Sequence, residues 1–259
     1  MDRIRLVKRL QSRLEEKADA KTKAWWEAYL KQAVPFRGVK MADVRSALHV
    51  WYVTEGIGGQ LSVTEQKQLA LALFEEENSE DKIAGILFLR EILLPAGAVE
   101  WRTDLKRFAD LFDAGWISDW NVCDWFCVKV LGPLVEKEGE ACARRISEWR
   151  TADNLWRRRA SGVAFVDLAK NGDENFAGFT DILLQICEST VRHPERFSQT
   201  GTGWVLRELS IAEPQRVQDF VGAHVCEFST EGLRYALGKL SPAAQDSLRR
   251  MRAACNAPS

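Results

Sequence analysis

The amino-acid sequence predicts an all-α protein, on two observations. Apolar residues recur at positions i, i+3, i+4 and i+7 in nearly every segment, which is the spacing of one helix face, and no run alternates apolar and polar residues as a half-buried strand does. The 259 residues are 46% hydrophobic and 28% charged, enough apolar material for a substantial core. Short turns between the segments favour stacked antiparallel helices.

Apolar stripes and end signals place the helices in chain order. The first carries the aliphatic side chains between Ile4 and Leu14 on one side, and the second holds Trp25 and ends before Pro35. Ser62 and Glu65 form a capping-box pattern at the start of a later helix. Further helices are predicted at about 40–56, 62–76, 80–94, 101–113, 119–133, 135–150, 153–170, 176–191, 202–211, 213–224, 229–238 and 241–253.

Pairs of these helices recur with a period of roughly 35 to 45 residues, which is the range of HEAT repeats. We therefore expect an α-solenoid of stacked HEAT-like helical hairpins with one concave face, forming a single domain over residues 1–259. On such a concave face, side chains from separate repeats contact one elongated ligand.

The charges are spread unevenly along the chain. The net charge is -1, with 36 Lys and Arg against 37 Asp and Glu. Basic residues outnumber acidic ones over residues 1–31 and 141–159, whereas acid is concentrated at Glu75–Glu77 and at Glu80 and Asp81, where we predict a turn. A neutral total is therefore compatible with a basic face.

Several classes of protein are excluded by what the sequence lacks. Its longest run without charge, Phe197–Leu206, is far shorter than the about 20 apolar residues of a membrane span, and the charged N-terminal run is unlike a secretion signal. We therefore expect a cytoplasmic protein. The six cysteines form no C-x-x-C pair and the three histidines are isolated, so we expect reduced core thiols, no metal and no cofactor.

Three stretches contain residue types suited to binding or catalysis. In residues 118–128, Trp120 and Asp124 lie one helical turn apart on the same face, and Asp119 is placed to cap the helix. A carboxylate beside an indole in a largely apolar helix is costly unless it is paired or faces a ligand. Asp124 is therefore either a ligand-facing group or the partner of an arginine from a neighbouring helix.

The other two stretches offer basic and aromatic groups. Arg157, Arg158 and Arg159 follow one another, and because successive helix residues point about 100° apart, the three cannot share a face. One that faces a ligand holds phosphate or carboxylate with its planar fork; a solvated or Asp124-paired arginine is the alternative. In residues 200–209, glycine-rich backbone precedes Trp204 at a predicted helix start, which indicates either a ligand-contacting Trp or a loop with a core Trp.

The three stretches, in this order, resemble the bacterial DNA alkylation repair family of HEAT-like DNA glycosylases. Trp120 and Asp124 match its W-x-x-x-D helix, Trp156–Ala160 its W-x-R-R-A helix and Gly203–Glu208 its G-W-x-L-R-E helix. Two upstream segments resemble its Y-[LM]-K and P-F-x-G-[IV] patterns, namely Tyr29–Lys31 and Pro35–Val39. The resemblance covers about residues 20–250.

The resemblance implies the excision of positively charged alkylated purines, of the 3-methyladenine and 7-methylguanine type, from double-stranded DNA, which leaves an abasic site, without drawing the base into a deep pocket. We expect a monomer, which suits a surface that must wrap a duplex. The residues that the resemblance assigns are Asp124 as the catalytic carboxylate, Trp120 and Trp204 as substrate-binding groups, and Arg159, Arg158 and Lys31 as phosphate-binding groups. Spacing from Asp124 favours Arg159 over Arg158. No metal and no membrane partner are expected, from the cysteine and histidine spacing and the lack of a long apolar run.

The alternative is a non-enzymatic HEAT-like scaffold that binds DNA structures or a protein partner along the same face. The neutral net charge favours the scaffold, whereas the pairing of Trp120 with Asp124 favours the enzyme. Salt dependence separates a protein partner from DNA, since phosphate contacts release counterions and weaken steeply as salt is added.

Overall fold

A computed structural model describes residues 2–255 of the chain. It confirms the all-α prediction, because 73% of the structure is helical and no strand occurs within residues 2–255. The chain folds into two compact units, Met1–Val130 and Leu131–Ser259. Over the described residues, no helix is both long enough and apolar enough to cross a membrane. The solenoid arrangement and the single domain over 1–259 stay predictions.

The first unit is built around one fully buried helix. Its α-helices are α1 (Arg3–Glu15), α2 (Ala20–Tyr29), α3 (Met41–Thr54), α4 (Ile57–Gln60), α5 (Val63–Ala72), α6 (Ser79–Phe88), α7 (Trp101–Asp113) and α8 (Trp120–Phe126). Every residue of α6 is buried, and α3, α5 and α8 pack against it. π-helical turns extend α6 and α8 at Leu89–Leu93 and Cys127–Leu131. The predicted capping box of Ser62 and Glu65 is confirmed at the start of α5.

The acidic residues Glu80 and Asp81 do not lie in a turn, as predicted, but in the buried first turn of α6, where they are 3% and 0% exposed. The Glu80 carboxylate accepts hydrogen bonds from the backbone N–H groups of Arg37, Gly38 and Val39, at 3.0, 2.8 and 3.0 Å. The Arg37 guanidinium donates to Asp81 at 2.5 Å. A buried charge needs such partners, and here they come from a segment more than forty residues away in sequence.

Residues 36–39 form a segment that is anchored on α6, and the position of α2 depends on this anchored segment because α2 has no buried residue of its own. Trp26 stacks on Phe36 with ring centroids 5.5 Å apart, and the Asp19 N–H donates to the Gly38 carbonyl oxygen at 3.1 Å. Gly38 has a φ of +94°, and a Cβ atom there would lie 2.2 Å from the Asp19 carbonyl oxygen. Glycine is therefore required where the anchored segment approaches the start of α2.

In the second unit, α14 is the helix against which most others pack. The α-helices are α9 (Gly132–Glu138), α10 (Glu140–Ser147), α11 (Leu155–Val163), α12 (Val166–Ala169), α13 (Phe179–Val191), α14 (Arg196–Leu209), α15 (Pro214–His224), α16 (Thr230–Leu237) and α17 (Pro242–Cys255). Helices α11, α12, α13 and α16 all contact α14. Short 3-10 turns lie at Glu148–Thr151 and Gly172–Glu174.

The glycine-rich residues 200–203 lie in the middle of α14, so the prediction of a loop before a helix start is wrong. The two glycines of this stretch let α14 pack closely against the neighbouring helices. A Cβ atom on Gly203 would lie 2.4 Å from the Gly232 carbonyl oxygen in α16, and one on Gly201 would lie 3.1 Å from Nη1 of Arg159 in α11. The absence of side chains outweighs the low helix propensity of glycine at these contacts.

Four of the six cysteines are buried and reduced, as predicted: Cys123, Cys127, Cys142 and Cys187. The prediction is wrong for Cys226 and Cys255, which form a disulfide between the segment after α15 and the end of α17. The two residues lie 29 positions apart in sequence, and only the packing of these segments brings them close enough to bond.

We predict that Cys226→Ser lowers the free energy of unfolding by about 3 to 4 kcal/mol, because the disulfide restricts the unfolded chain over a loop of this length. Urea unfolding of the oxidised proteins measures the difference. The matched control is the addition of a reducing agent, which should destabilise the unsubstituted protein and leave Cys226→Ser unchanged. Equal unfolding midpoints of the unsubstituted protein with and without reductant would contradict the prediction.

A second prediction concerns pH. Burial raises the pKa of Asp81 from 3.8 to about 6, against the opposing charge of Arg37. The folded protein therefore holds the Asp81 proton more tightly than the unfolded chain does. The protonated carboxyl group stabilises the folded state fully below about pH 4, and this stabilisation is lost as pH rises through about 6. Relative to the unsubstituted protein, Asp81→Asn should therefore gain about 3 kcal/mol of unfolding free energy between about pH 4 and pH 7.

Urea unfolding across that pH range measures the gain for Asp81→Asn. The control is Asp110→Asn, an exposed carboxylate on α7 whose side chain is 52% exposed. A difference between Asp81→Asn and the unsubstituted protein that does not vary with pH would show that Asp81 does not titrate there.

Candidate functional site

Trp120 and Asp124 lie in the first unit, on α8, with side chains that are half-buried. Asp119 caps this helix, as predicted: its Oδ1 accepts hydrogen bonds from the N–H groups of Asn121 and Val122 at 2.8 and 3.0 Å. The residues that α8 buries are Asn121, Val122, Cys123 and Phe126. The pair therefore lies on a side of α8 that is not sealed in the core, one helical turn apart.

A second carboxyl group lies close to Asp124. Asp119 is 2% exposed, and its Oδ2 accepts no hydrogen bond from the part of the chain that the structure describes. Burial raises the pKa of Asp119, and the charge of Asp124 adds to this rise, whereas the two N–H donors and the charge of Lys82 oppose it. This end of α8 therefore has acidic character, which suits the stabilisation of positive charge.

The Trp120 indole is held against the anchored segment and the end of α2. It contacts the Tyr29 ring edge-on, with centroids 5.6 Å apart and planes at 74°. It also packs against the buried cluster of Leu30, Val34 and Phe36. Sequence reasoning did not assign Tyr29 a place in the site, although the family-like Tyr29–Lys31 segment was the signal that could have found it.

Lys31 follows α2 and is exposed. Its φ is +52° and that of Gln32 is +60°, a left-handed conformation that residues other than glycine seldom adopt. The preceding residue, Leu30, belongs to the cluster against which Trp120 packs. Lys31 therefore lies in solvent just after α2, at the end of this helix that is close to Trp120.

Arg158 and Arg159 lie in the second unit, on α11, and both are buried, at 2% and 7% exposed. Arg158 donates to the Ala152 carbonyl oxygen at 2.7 Å and to Glu195 at 2.6 Å. Arg159 donates to the Phe197 carbonyl oxygen at 2.7 Å. Both guanidinium groups thus hold α11 to the start of α14, a contact that sequence reasoning did not foresee.

Trp204 is half-buried on α14, so the structure places it on a helix that packs directly against the one carrying Arg158 and Arg159. Arg157 is the least buried of the three consecutive arginines, and its guanidinium lies 5.5 Å from the ring centroid of Trp149. The sequence could not predict how exposed each of the three arginines is, because exposure depends on which helix faces are covered.

The predicted residues thus fall into two groups. The first unit contains Trp120, Asp124 and Lys31, and the second contains Arg158, Arg159 and Trp204. That the two groups act on one ligand stays a prediction. Within residues 2–255, no three His, Cys, Asp or Glu side chains are grouped so that they could hold a metal ion.

Comparison with known proteins identifies the family of the chain. Residues 10–240 match the model of a family described as DNA alkylation repair enzyme. A solved structure named as a predicted DNA alkylation repair enzyme from Enterococcus faecalis is similar in fold, with a TM-score of 0.70 and 18% identity over 87% of this chain and 98% of that one. No individually curated protein sequence is significantly similar to the chain. Because the family model spans most of its length, the chain belongs to the DNA alkylation repair enzyme family.

Proposed function

We propose that the protein is a DNA N-glycosylase that excises positively charged alkylated purines, of the 3-methyladenine and 7-methylguanine type, from double-stranded DNA. Family membership supports a role in the repair of alkylated DNA. The observation that carries the more specific proposal is the half-buried Trp120 and Asp124 pair on α8, beside the second carboxyl group of Asp119.

The chemistry follows from the charge of the substrate. An alkylated purine leaves as a neutral base, so no acid is needed to protonate it. The sugar left behind approaches an oxocarbenium ion, and a fixed carboxylate near its C1′ atom lowers the energy of that state. We assign this role to Asp124, which also orients the attacking water.

The remaining residues are proposed to bind the DNA. Trp120 and Trp204 contact the damaged nucleotide and attract its positive charge through their ring faces. Arg159, Arg158 and Lys31 contact phosphates, which position the strand without reading its sequence. In the same proposal the helices stack as HEAT-like hairpins, the protein acts as a cytoplasmic monomer, and the base is removed without entering a deep pocket.

Asp124→Asn is expected to slow release of 7-methylguanine from methylated duplex DNA by on the order of 10²–10³-fold, the loss typical of one preorganised electrostatic group. Free purine, separated by chromatography and quantified by mass spectrometry, gives the rate. Affinity for duplex DNA with an abasic-site analogue should change by less than about twofold, since the charge acts mainly on the transition state.

The matched control for this variant is Asp110→Asn, which removes an exposed carboxylate from α7 in the same unit. It should release purine at the unsubstituted rate. If Asp124→Asn is as fast as Asp110→Asn, the proposed role of Asp124 is wrong. If the unsubstituted protein releases no purine but binds DNA, the non-enzymatic scaffold, which the net charge of -1 favours, becomes the better reading.

Arg159→Ala should weaken binding to every DNA sequence alike and flatten the dependence of log K on log salt by about one unit, as expected for the loss of one phosphate contact. Because Arg159 also donates to the Phe197 carbonyl oxygen, circular dichroism must show that the variant is folded. The comparison variant is Arg157→Ala on the same helix. A flatter slope in Arg157→Ala alone would assign the phosphate contact to Arg157 instead.

A further inference from the structure

We infer that α2 carries a separate DNA-contacting surface, a stacking platform for an unpaired base, formed by the side chains of Trp25 and Tyr29. The inference rests on the proposed function in taking DNA as the partner. It does not depend on base excision, and Trp25, the residue that the test substitutes, has no part in the carboxylate chemistry assigned to Asp124.

The geometry of the platform is that of a base stack with one open end. Trp25 and Tyr29 lie one helical turn apart, their rings are nearly parallel at 12°, and their centroids are 5.1 Å apart. They are 57% and 53% exposed. Because one face of the Trp25 indole lies on Tyr29, much of its exposed area belongs to the opposite face. A planar ring placed there would extend the stack by one layer.

The exposed rings are not required by the core. No residue of α2 is buried, and the ring that attaches this helix to the anchored segment is Trp26, which stacks on Phe36. Two large aromatic side chains left side by side in solvent form the kind of apolar patch that marks a binding surface. Trp25 therefore contributes ring area that folding does not use.

The platform is also held in place before any ligand arrives. The Trp25 and Trp26 rings are roughly perpendicular with centroids 4.8 Å apart, and so are the Tyr29 and Trp120 rings, at 5.6 Å. Asp19 caps α2 by accepting a hydrogen bond from the Thr22 N–H at 2.7 Å. Little side-chain freedom remains to be lost on binding, which favours affinity.

The charges around the platform favour nucleic acid over a protein partner. The segment that carries the platform, residues 17–31, has four basic residues, all exposed: Lys17, Lys21, Lys23 and Lys31. The two acidic residues of this segment are engaged, since Asp19 caps the helix and Glu27 accepts from the Phe36 N–H at 3.3 Å and lies 3.9 Å from Lys23. Lysine is depleted in protein interfaces, whereas aromatic rings bordered by basic side chains are typical of surfaces that bind single-stranded nucleic acid.

The ligand is specifically an unpaired or displaced base. In an intact duplex the ring faces are covered by neighbouring base pairs, so the platform has nothing to stack on until a base leaves the helix. Such a base is present where a base pair is lost, for example opposite the abasic site that the proposed excision leaves. The platform would then hold the displaced nucleotide while the lysines contact its flanking phosphates.

The test compares two fluorescein-labelled duplexes that differ only in one extra, unpaired thymine, with binding followed by fluorescence anisotropy. Trp25→Ala should raise Kd for the duplex with the unpaired base by about 5- to 100-fold, the range of one base–aromatic stack, and raise Kd for the fully paired duplex by less than about twofold. Trp25→Phe, which keeps a ring, should restore most of the affinity. The salt slope should not change in Trp25→Ala, because no phosphate contact is removed.

Two control variants separate stacking from general effects. Val53→Ala removes an apolar side chain that is 75% exposed on α3 and should alter neither Kd. The double variant Lys21→Ala and Lys23→Ala should weaken binding to both duplexes and flatten the salt slope by about two units. Since the substituted side chains are exposed, all variants should unfold at the same urea concentration as the unsubstituted protein.

The proposal is overturned if Trp25→Ala leaves both Kd values unchanged, or raises them equally. It is also overturned if sedimentation shows that the protein self-associates through Trp25 while its DNA affinity is insensitive to the substitution, since the surface would then be a protein interface. A protein that releases no purine but shows the Trp25 effect would contradict the glycosylase proposal alone. Purine release with no Trp25 effect would contradict the platform alone.

Discussion

Buried charge at the start of α6 is the constraint on which the arrangement of the first unit depends. Glu80 is almost completely removed from water, and the backbone N–H groups of residues 37–39 satisfy it. Leaving a buried charged group without its donors costs more than about 1–3 kcal/mol, so this segment has one stable position on α6. Helix α2, which has no buried residue, is positioned through that segment, and Trp120 packs on the same residues.

In the second unit, two buried guanidinium groups have a comparable effect. Arg158 and Arg159 extend from α11 to Glu195 and the Phe197 carbonyl oxygen at the start of α14. Gly201 and Gly203 let the middle of α14 approach Arg159 and α16 more closely than any side chain would allow. Contacts with Arg159 on one side and with α16 on the other therefore fix the position of α14, the helix that carries Trp204. Buried arginines are well suited to this because their planar fork satisfies several acceptors at once.

The contacts of α6 in the first unit support the candidate residues Trp120 and Asp124. Trp120 and Asp124 remain half-buried on α8, and α8 is itself packed on the fully buried α6. A carboxylate that acts on developing charge is effective only when it needs no rearrangement at the moment of reaction. The same rigidity extends through Tyr29 to Trp25, so an exposed aromatic surface and the candidate carboxylate are supported by one set of contacts.

The sequence by itself determined the helical class, most helix positions, the caps at Ser62 and Asp119 and the shared face of Trp120 and Asp124, because these depend on periodicity and on contacts within a few residues. Only the tertiary structure decided that Glu80 and Asp81 are buried, that residues 200–203 are helical, that Cys226 pairs with Cys255 and that Arg158 and Arg159 hold α14. Each of these depends on a partner distant in sequence. The residues next to an acid, a glycine, a thiol or an arginine in the sequence do not indicate which distant residue it will contact in the folded protein.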